Sequence, residues 1–433
     1  MQTTDLGDRS LPAARALTRH DYKTLSFAAL GGALEFYDFI IFVFLAPVIG
    51  QLFFPPSIPD WLRQLQTFGI FAAGYFARPL GGVVMAHFGD LFGRKRVFTL
   101  SVMLMALPTL AIGVLPTYTS IGVVAPVLLL SMRVLQGAAV AGEVPGAWVF
   151  VSEHVPPRKV GLACGALTGG LTAGILLGAL IAAAINTHYN AAQISEFAWR
   201  MPFLIGGVLG ALAALLRRWL HETPVFMELQ KRKSLAAEIP LRAVVRGHRA
   251  AVVMSMLLTW TLSAAIVVVI LMTPTLLRKQ HHVSAAGASV ANSIATLCLM
   301  FGCAIAGVLC DRFGARRVIQ VGSVALAACY LWLFSTVDTY PQALLPLYSI
   351  SGLTVGVVGA IPFVMIHAFP AAVRFSGISF SYNVAYALFG GLTPIIVSLL
   401  LKNSTMAPAF YVATLCGVAF IVVTLAQDRR TLP

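Results

Sequence analysis

The sequence predicts an all-α membrane protein in which twelve transmembrane helices form two six-helix bundles. Hydrophobic residues make up 58% of the 433 residues and charged residues only 11%, whereas a typical soluble domain has about 25% charged residues. The apolar residues occur in runs of about 20 or more, the length that a helix needs to cross a bilayer. In addition, short motifs recur at about half the chain length, which indicates an internal duplication.

Twelve apolar segments define the expected helices. The spans lie at about 24–50, 64–88, 97–115, 121–149, 160–186, 201–219, 251–276, 286–309, 318–336, 342–367, 376–401 and 407–426. The longest polar stretch falls near the midpoint of the chain. We therefore expect an N-terminal bundle over residues 1–220, a cytoplasmic linker over 221–249 and a C-terminal bundle over 250–433.

Two charged signatures carry the duplication. Asp90-Leu91-Phe92-Gly93-Arg94-Lys95-Arg96 and Asp311-Arg312-Phe313-Gly314-Ala315-Arg316-Arg317 lie 221 residues apart and share the pattern D-x-F-G-x-[KR]-R. Arg158-x-x-Gly161 recurs as Arg374-x-x-Gly377. A repeat of six spans keeps its orientation, so the halves should be parallel copies about an axis along the membrane normal. Internal duplication in a membrane protein is typical of secondary transporters, whose binding site lies between the halves.

The distribution of basic residues predicts the orientation. If the N-terminus is inside, 23 of the 30 Lys and Arg residues fall on inner segments. This asymmetry predicts cytoplasmic termini and a location in the plasma membrane, with the bacterial inner membrane favoured. It also accounts for the net charge of +14, so we expect a lipid bilayer around this chain and no nucleic-acid partner.

Five ionisable residues lie well inside spans of the first half: Glu35, Asp38, Arg78, Arg133 and Glu143. Each charged residue at mid-bilayer costs about 2.5–3.5 kcal/mol on insertion scales. A cost of that size implies mutual pairing, a water-filled cavity, or both. The spans of the second half contain no charged residue away from their ends. We therefore expect the first half to carry charge recognition and proton coupling.

Three carboxylates against two guanidiniums leave one carboxylate in excess. Such a group can load a proton on one side of the membrane and release it on the other. No histidine lies at mid-span, so a carboxylate relay is favoured. Asp38 and Glu35 are preferred over Glu143, which lies nearer the cytoplasm. The alternative is that these residues only form packing ion pairs with the two arginines.

Arg133 is the best candidate for substrate contact, because a guanidinium binds a carboxylate through two parallel hydrogen bonds. Neutral polar residues of the second half could supply hydrogen bonds and stacking surfaces. The full set of substrate-binding candidates is Arg133, Arg78, Gln136, Tyr37, Trp260, Asn292, Tyr382, Asn383 and Tyr386. For the last three, which share one helix face, core packing is the alternative.

Several motifs resemble the major facilitator superfamily. These are the two signatures, Arg133-x-x-Gln136-Gly137 and Glu153. The second signature, extended back to Gly307, matches the family pattern nearly throughout. The first has Ala86, four residues before Asp90, where Gly is usual, and Leu91 where Arg is usual. Further stretches resemble its metabolite–proton symporter branch. They are Glu35-Phe36-Tyr37-Asp38-Phe39, Arg78-Pro79-x-Gly81-Gly82, Gly142-Glu143, Trp199-Arg200-x-Pro202-Phe203 and Glu222-Thr223-Pro224.

The resemblance implies a cytoplasmic gate. Asp90 should face the N-terminus of a helix in the other half, and Arg94 should pair with Glu153. The gate residues would be Asp90, Gly93, Arg94, Glu153, Asp311, Arg312, Gly314 and Arg316.

The resemblance also implies proton-coupled symport by alternating access, with substrates such as α-ketoglutarate, citrate or shikimate. Zwitterions such as proline and betaine are the alternative, and a drug or metabolite exporter is the nearest rival. We expect a monomer without cofactor or metal. An enzyme is disfavoured because no nucleophile–base set or metal-ligand pattern lies at membrane depth, and a sensor would carry a soluble output domain.

Overall fold

The structure, a computed structural model, describes residues 17–216, 222–223, 227–228 and 240–427, most of them in helices. The first half comprises α1 (Arg19–Phe53), α2 (Asp60–Phe92), α3 (Arg94–Val114), α4 (Val124–His154), α5 (Val160–His188) and α6 (Arg200–Leu216). The second half comprises α7 (Arg249–Gln280), α8 (Ala285–Phe313), α9 (Ala315–Thr336), α10 (Pro341–Ala368), α11 (Ala371–Leu400) and α12 (Ala407–Gln427). The expected order and positions of the twelve helices are confirmed.

Eleven of the described helices are long and apolar enough to cross a bilayer by themselves. The twelfth crossing is a bent pair, in which Ala191–Ala198 meets α6 at an angle of 41°. A short helix, Pro240–Gly247, precedes α7 and occupies the described end of the expected linker. The rest of that linker is mostly outside the described residues, as are both termini, so the orientation and the domain limits remain predictions.

Three helices of the second half depart from α-helical geometry. A π-helical segment occupies Ala265–Met272 in α7, and another occupies Tyr386–Gly390 in α11. A 3₁₀ segment, Gly356–Ala360, interrupts α10. Single π turns inside α-helices are frequent at functional sites, and the one in α11 begins at a predicted substrate-binding residue.

Glycines end the helices at both charged signatures. Gly93 (φ 112°) follows α2 and Gly314 (φ 82°) follows α8. These backbone conformations are open to glycine at little steric cost. The chain therefore turns sharply from α2 into α3 and from α8 into α9, with the charged residues placed at the turns.

The glycine rows of α5 serve two different contacts. Gly170, Gly174 and Gly178 lie against α1, and Gly161, Gly165 and Gly169 lie against α8 of the other half. Small side chains allow membrane helices to approach closely. The two halves meet along α5 with α8 and along α2 with α11, so the second glycine row lies on the interface between them.

The contact of α5 with α1 should be sensitive to size. In Gly174→Val the added Cβ would overlap the carbonyl oxygen of Ala33, and overpacking of this kind costs about 1–3 kcal/mol. We expect a lower melting temperature in detergent. Gly417→Val in α12 is the matched control, since a Cβ there meets nothing within 4 Å. Equal melting temperatures for the two variants would contradict this packing.

Candidate functional site

A cavity in the first half brings four predicted residues together. Asp38 of α1, Arg78 of α2, and Arg133 and Gln136 of α4 all line it. Its other lining residues are Gly74, Met105, Gly137 and Val140. The cavity is narrow and partly open to its surroundings.

A chain of hydrogen bonds connects the charged residues of the cavity. The Arg133 Nη1 donates to Gln136 Oε1 at 2.9 Å, and Gln136 Nε2 donates to the Thr109 hydroxyl at 2.7 Å. Thr109 in turn donates to Asp38 Oδ2. The guanidinium and the carboxylate are therefore linked through two neutral side chains.

The hydrogen bonds described above reach only one of the two carboxylate oxygens of Asp38. The residue is 4% exposed, and its Oδ1 atom has no hydrogen-bond partner among the side chains and backbone that the structure describes. This atom lies close to Gly206 of α6, where an added Cβ would come within 2.6 Å of it. A buried carboxylate oxygen without a donor is costly when it is charged. Protonation removes that charge, so Asp38 has the surroundings of a proton carrier.

Aromatic faces surround the Arg133 guanidinium. Its Cζ lies 4.4 Å from the centre of the Phe42 ring and 5.5 Å from that of Phe71. Cation–π contacts at these distances stabilise a desolvated guanidinium without neutralising it. Arg133 thus keeps a positive charge at the cavity wall, where an anionic group could bind.

Arg78 connects the cavity to the second half. Its Nε donates to Asn383 Oδ1 of α11 at 3.4 Å. Three tyrosine rings surround the guanidinium, with centres at 4.7 Å (Tyr386), 5.7 Å (Tyr382) and 5.8 Å (Tyr75). The predicted face of α11 therefore contacts the predicted arginine of α2.

Asn383 is held at the interface by backbone carbonyls. Its Nδ2 donates to Ala141 O of α4 and to Ser379 O of its own helix, both at 2.8 Å. The close approach requires glycine at position 82, because a Cβ there would lie 2.5 Å from Asn383 Nδ2. These contacts tie α11 to α2 and α4 beside the cavity.

Glu143 lies outside the cavity lining but is buried, with 1% exposure. The Ser101 hydroxyl of α3 donates to its Oε2 at 2.7 Å. The third predicted proton-coupling residue, Glu35, has its side chain outside the described part of the structure, so its role remains a prediction.

Three predicted substrate-binding residues do not lie at the cavity. Tyr37 is fully buried and its hydroxyl donates to Pro202 O at 2.8 Å. Trp260 bonds the Tyr411 hydroxyl at 3.0 Å and stacks on Phe389. Asn292 accepts from the Tyr348 hydroxyl at 2.6 Å. Their polar atoms bond groups of the same half in this structure, and their substrate-binding roles remain predictions.

At the signature of the first half, Asp90 Oδ2 accepts from the backbone N–H of Ser376 at 2.9 Å. Ser376 lies in the first turn of the α-helical part of α11, so the contact implied by the resemblance is present. Glu153 accepts from Arg374 Nη1 at 3.0 Å. The side chain of Arg94, its expected partner, is outside the described residues, and that pairing remains a prediction.

The second signature makes the equivalent contact in the opposite direction. Asp311 Oδ1 accepts from Gly161 N at 2.7 Å, and its Oδ2 accepts from Leu162 N at 2.8 Å. Both amides lie in the first turn of α5. Each half thus places an aspartate on a helix N-terminus of the other half. Arg312 is exposed and Arg316 is half-buried, so Asp311 is the residue of this copy that reaches across.

The family model of the Major Facilitator Superfamily matches residues 28–394. The chain belongs to the major facilitator superfamily. It is 31% identical over 431 residues to the inner membrane metabolite transport protein YhjE of Escherichia coli, covering 94% of each chain. It is 29% identical to a putative proline/betaine transporter of Staphylococcus aureus, covering 93% of this chain and 87% of the relative.

A similar fold occurs in the proton:xylose symporter XylE bound to 6-bromo-6-deoxy-D-glucose. The TM-score is 0.78 at 15% identity, over 94% of this chain and 95% of that one. Major facilitator proteins are transporters, so this chain is a membrane transporter and not an enzyme.

Sequence reasoning missed several residues of the site of this major facilitator transporter. Thr109, Ser101 and Tyr75 have no charged residue directly beside them in sequence. Hydroxyl side chains are common inside helices, so residue type singled out none of these three. Arg374 was noticed only as part of a repeat. One signal was available for the hydroxyls: Ser101 and Thr109 are eight residues apart, on one face of α3.

The contact of Asp311 with α5 should hold the signature end closed. A carboxylate at a helix N-terminus contributes about 0.3–1 kcal/mol, and up to about 2 when partly buried. We expect Asp311→Asn to increase the alkylation rate of the buried Cys303, which lies two helical turns away on α8 against Gly169 of α5, by about fivefold per kcal/mol lost, in a variant that keeps only that cysteine. Arg317→Gln, at an exposed residue of the same signature, should leave the rate unchanged. An unaltered rate in Asp311→Asn would refute this role.

Proposed function

We propose that this transporter imports a small carboxylate-bearing metabolite together with protons. The observation that carries the proposal is the hydrogen-bond chain from Arg133 through Gln136 and Thr109 to Asp38. It joins a cationic group suited to a carboxylate with an acidic group suited to a proton. Neutral side chains link the buried pair, so the state of each can respond to the ligand of the other.

The coupling follows from the donors around Asp38. When Asp38 is charged, Thr109 donates to it and accepts from Gln136, which leaves Gln136 Oε1 for Arg133. When Asp38 is protonated, its O–H can donate, and the hydroxyl of Thr109 is released to turn away. Gln136 and Arg133 can then reorient toward a substrate carboxylate. Proton loading on Asp38 thereby prepares Arg133 for the anion.

A zwitterion of the proline or betaine type is the second candidate. The similarity to a putative proline/betaine transporter favours it. A zwitterion could place its carboxylate on Arg133. Aromatic faces bind quaternary ammonium groups, so its cationic group could take the Tyr386 ring if Arg78, whose Cζ lies 4.7 Å from that ring centre, moved away.

Alternating access is supported by the contacts at the signature end. Asp90 and Asp311 each bind a helix N-terminus of the other half, and these bonds can form only when this end is closed. The distribution of Lys and Arg predicts that this end faces the cytoplasm. Opening it requires α11 to leave α2 and α5 to leave α8.

The substrate class can be tested with the purified protein in proteoliposomes. Labelled α-ketoglutarate, citrate, shikimate, proline and glycine betaine are offered with and without an inward proton gradient. We expect accumulation of one carboxylate-bearing class, abolished by a protonophore. Accumulation of proline or betaine alone would select the zwitterion. Uptake that equilibrates equally with and without the gradient would overturn proton coupling.

Asp38→Asn should separate exchange from accumulation. Asparagine keeps an acceptor for Thr109 but cannot carry a proton, so we expect counterflow between preloaded and external substrate to persist. Accumulation driven by the proton gradient should fall by about 100-fold or more, the range for loss of a positioned proton-transfer group. Thr187→Val, at an exposed hydroxyl bonded to its own helix, is the control. Gradient-driven accumulation at the wild-type level in Asp38→Asn would exclude it as the carrier.

A further inference from the structure

One face of α3 presents two hydroxyls to two buried carboxylates. Ser101, Met105 and Thr109 follow each other at intervals of four residues, which places them on one side of the helix. Thr109 donates to Asp38 of α1, and Ser101 donates to Glu143 of α4. The hydroxyls are separated by eight residues, or about 12 Å of helical rise.

Glu143 is located one helical turn beyond the cavity. Along α4, Gln136 and Val140 line the cavity and Glu143 follows three residues later. The antiparallel helix α3 has Met105 at the cavity. Ser101 lies one turn from Met105 toward the signature end, the same end as Glu143. Met105 and Val140 pack together between α3 and α4. Asp38, bonded to Thr109, lies on one side of this contact, and Glu143, bonded to Ser101, lies on the other.

The second carboxylate lies on the side of the charged signatures. A Cβ on Gly146 of α4, three residues beyond Glu143, would lie 3.1 Å from the Phe375 ring of α11. The carbonyl oxygen of Ala141, two residues before Glu143, accepts a hydrogen bond from Asn383 Nδ2 of α11. The turn that carries Glu143 thus borders α11, and departure of α11 exposes this turn to water on the signature side.

We propose that Glu143 is a second proton station on the exit path, and that Ser101 positions its carboxylate. The proposal rests on the proposed function. In this step the O–H bond of protonated Asp38 breaks, and the proton passes along water that enters between the cavity and the turn beyond Met105 and Val140. A new O–H bond forms at a carboxylate oxygen of Glu143. Asp38 returns to its charged form. Glu143 then releases the proton to water when the signature end opens.

The charged residues of the cavity wall other than Asp38 are Arg133 and Arg78. Arg133 lies ten residues before Glu143 on α4 and is linked to Asp38, and Arg78 faces α11. A substrate carboxylate that neutralises Arg133 does not alter the surroundings of Glu143, because the two lie nearly three helical turns apart. Glu143 can therefore accept and release its proton without dependence on substrate contact.

The test compares two steps of the cycle in proteoliposomes, with α-ketoglutarate, proline and glycine betaine as probes. The first readout is the proton uptake that follows substrate addition in a single turnover, recorded with a pH-sensitive dye. The second is steady-state accumulation driven by a proton gradient. The variants are Glu143→Gln, Glu143→Asp and Ser101→Ala. Ser152→Ala is the control, since this buried hydroxyl bonds Val149 O of its own helix.

We expect Glu143→Gln to retain the single-turnover proton uptake and to lose about 100-fold or more in gradient-driven accumulation. Glu143→Asp should restore part of the accumulation, Ser101→Ala should lower it by a smaller factor, and Ser152→Ala should match the wild type. Wild-type accumulation in Glu143→Gln would overturn the second station. Equal loss of both readouts without recovery in Glu143→Asp would assign a structural role and also overturn it.

The same measurements separate this proposal from the proposed function. If Asp38→Asn loses accumulation while Glu143→Gln does not, the proton coupling stands and the second station is wrong. If Asp38→Asn also accumulates substrate normally, the proposed coupling itself fails.

Discussion

A charged side chain inside a bilayer must be hydrogen-bonded or paired, and this constraint organises the first half of the protein. Asp38, Arg133 and Glu143 are each 4% exposed or less. Asp38 and Glu143 each accept a hydrogen bond from a hydroxyl of α3. Arg133 donates to the Gln136 amide oxygen and lies against two aromatic rings. Because these partners come from different helices, satisfying the charges also fixes how α1, α3 and α4 pack. Rearrangement inside the bundle would expose a charge, so we expect movement to occur between the halves.

The second half keeps the framework of the repeat and replaces its charges. Added Cβ atoms at Gly81 and Gly302, related by the 221-residue offset of the signatures, would overlap Ala138 and Leu353 respectively. The same offset relates Thr109 to Tyr330, and the 215-residue offset between Ala138 and Leu353 relates Arg133 to Tyr348. Tyr330 bonds Thr273 at 2.8 Å, and the Tyr348 hydroxyl bonds Asn292. The two halves thus hold polar networks at corresponding positions, and only that of the first half is charged.

The fold and part of the site were predictable because each carries a large energetic signal. Long apolar runs identify spans, and charges at membrane depth identify Asp38 and Arg133. The partners Thr109 and Ser101 were not predictable, because a helical hydroxyl can bond its own backbone, as Thr109 also does toward Met105 O at 2.9 Å. Tyr37 was predicted to bind substrate and Asp38 to carry the proton, but adjacent helical residues point about 100° apart, and the Tyr37 hydroxyl bonds Pro202 O. Residue type and depth do not specify which side of a helix faces the cavity.

The contacts of α11 connect the cavity to the signature end. Its first α-helical turn binds Asp90 through Ser376, Ser379 and Asn383 bind α2 and α4, and Tyr382 and Tyr386 lie over Arg78. From Ser376 to Tyr386 the helix rises by about 15 Å, so one rigid segment spans both regions. A ligand can shift the equilibrium between two states only if it contacts them differently. A substrate that draws Arg78 away from the tyrosine rings weakens the contacts of α2 with Tyr382, Tyr386 and Asn383 of α11. The bond at Asp90 then loses part of the packing that aligns it, which is a physical route from substrate binding to opening of the far end.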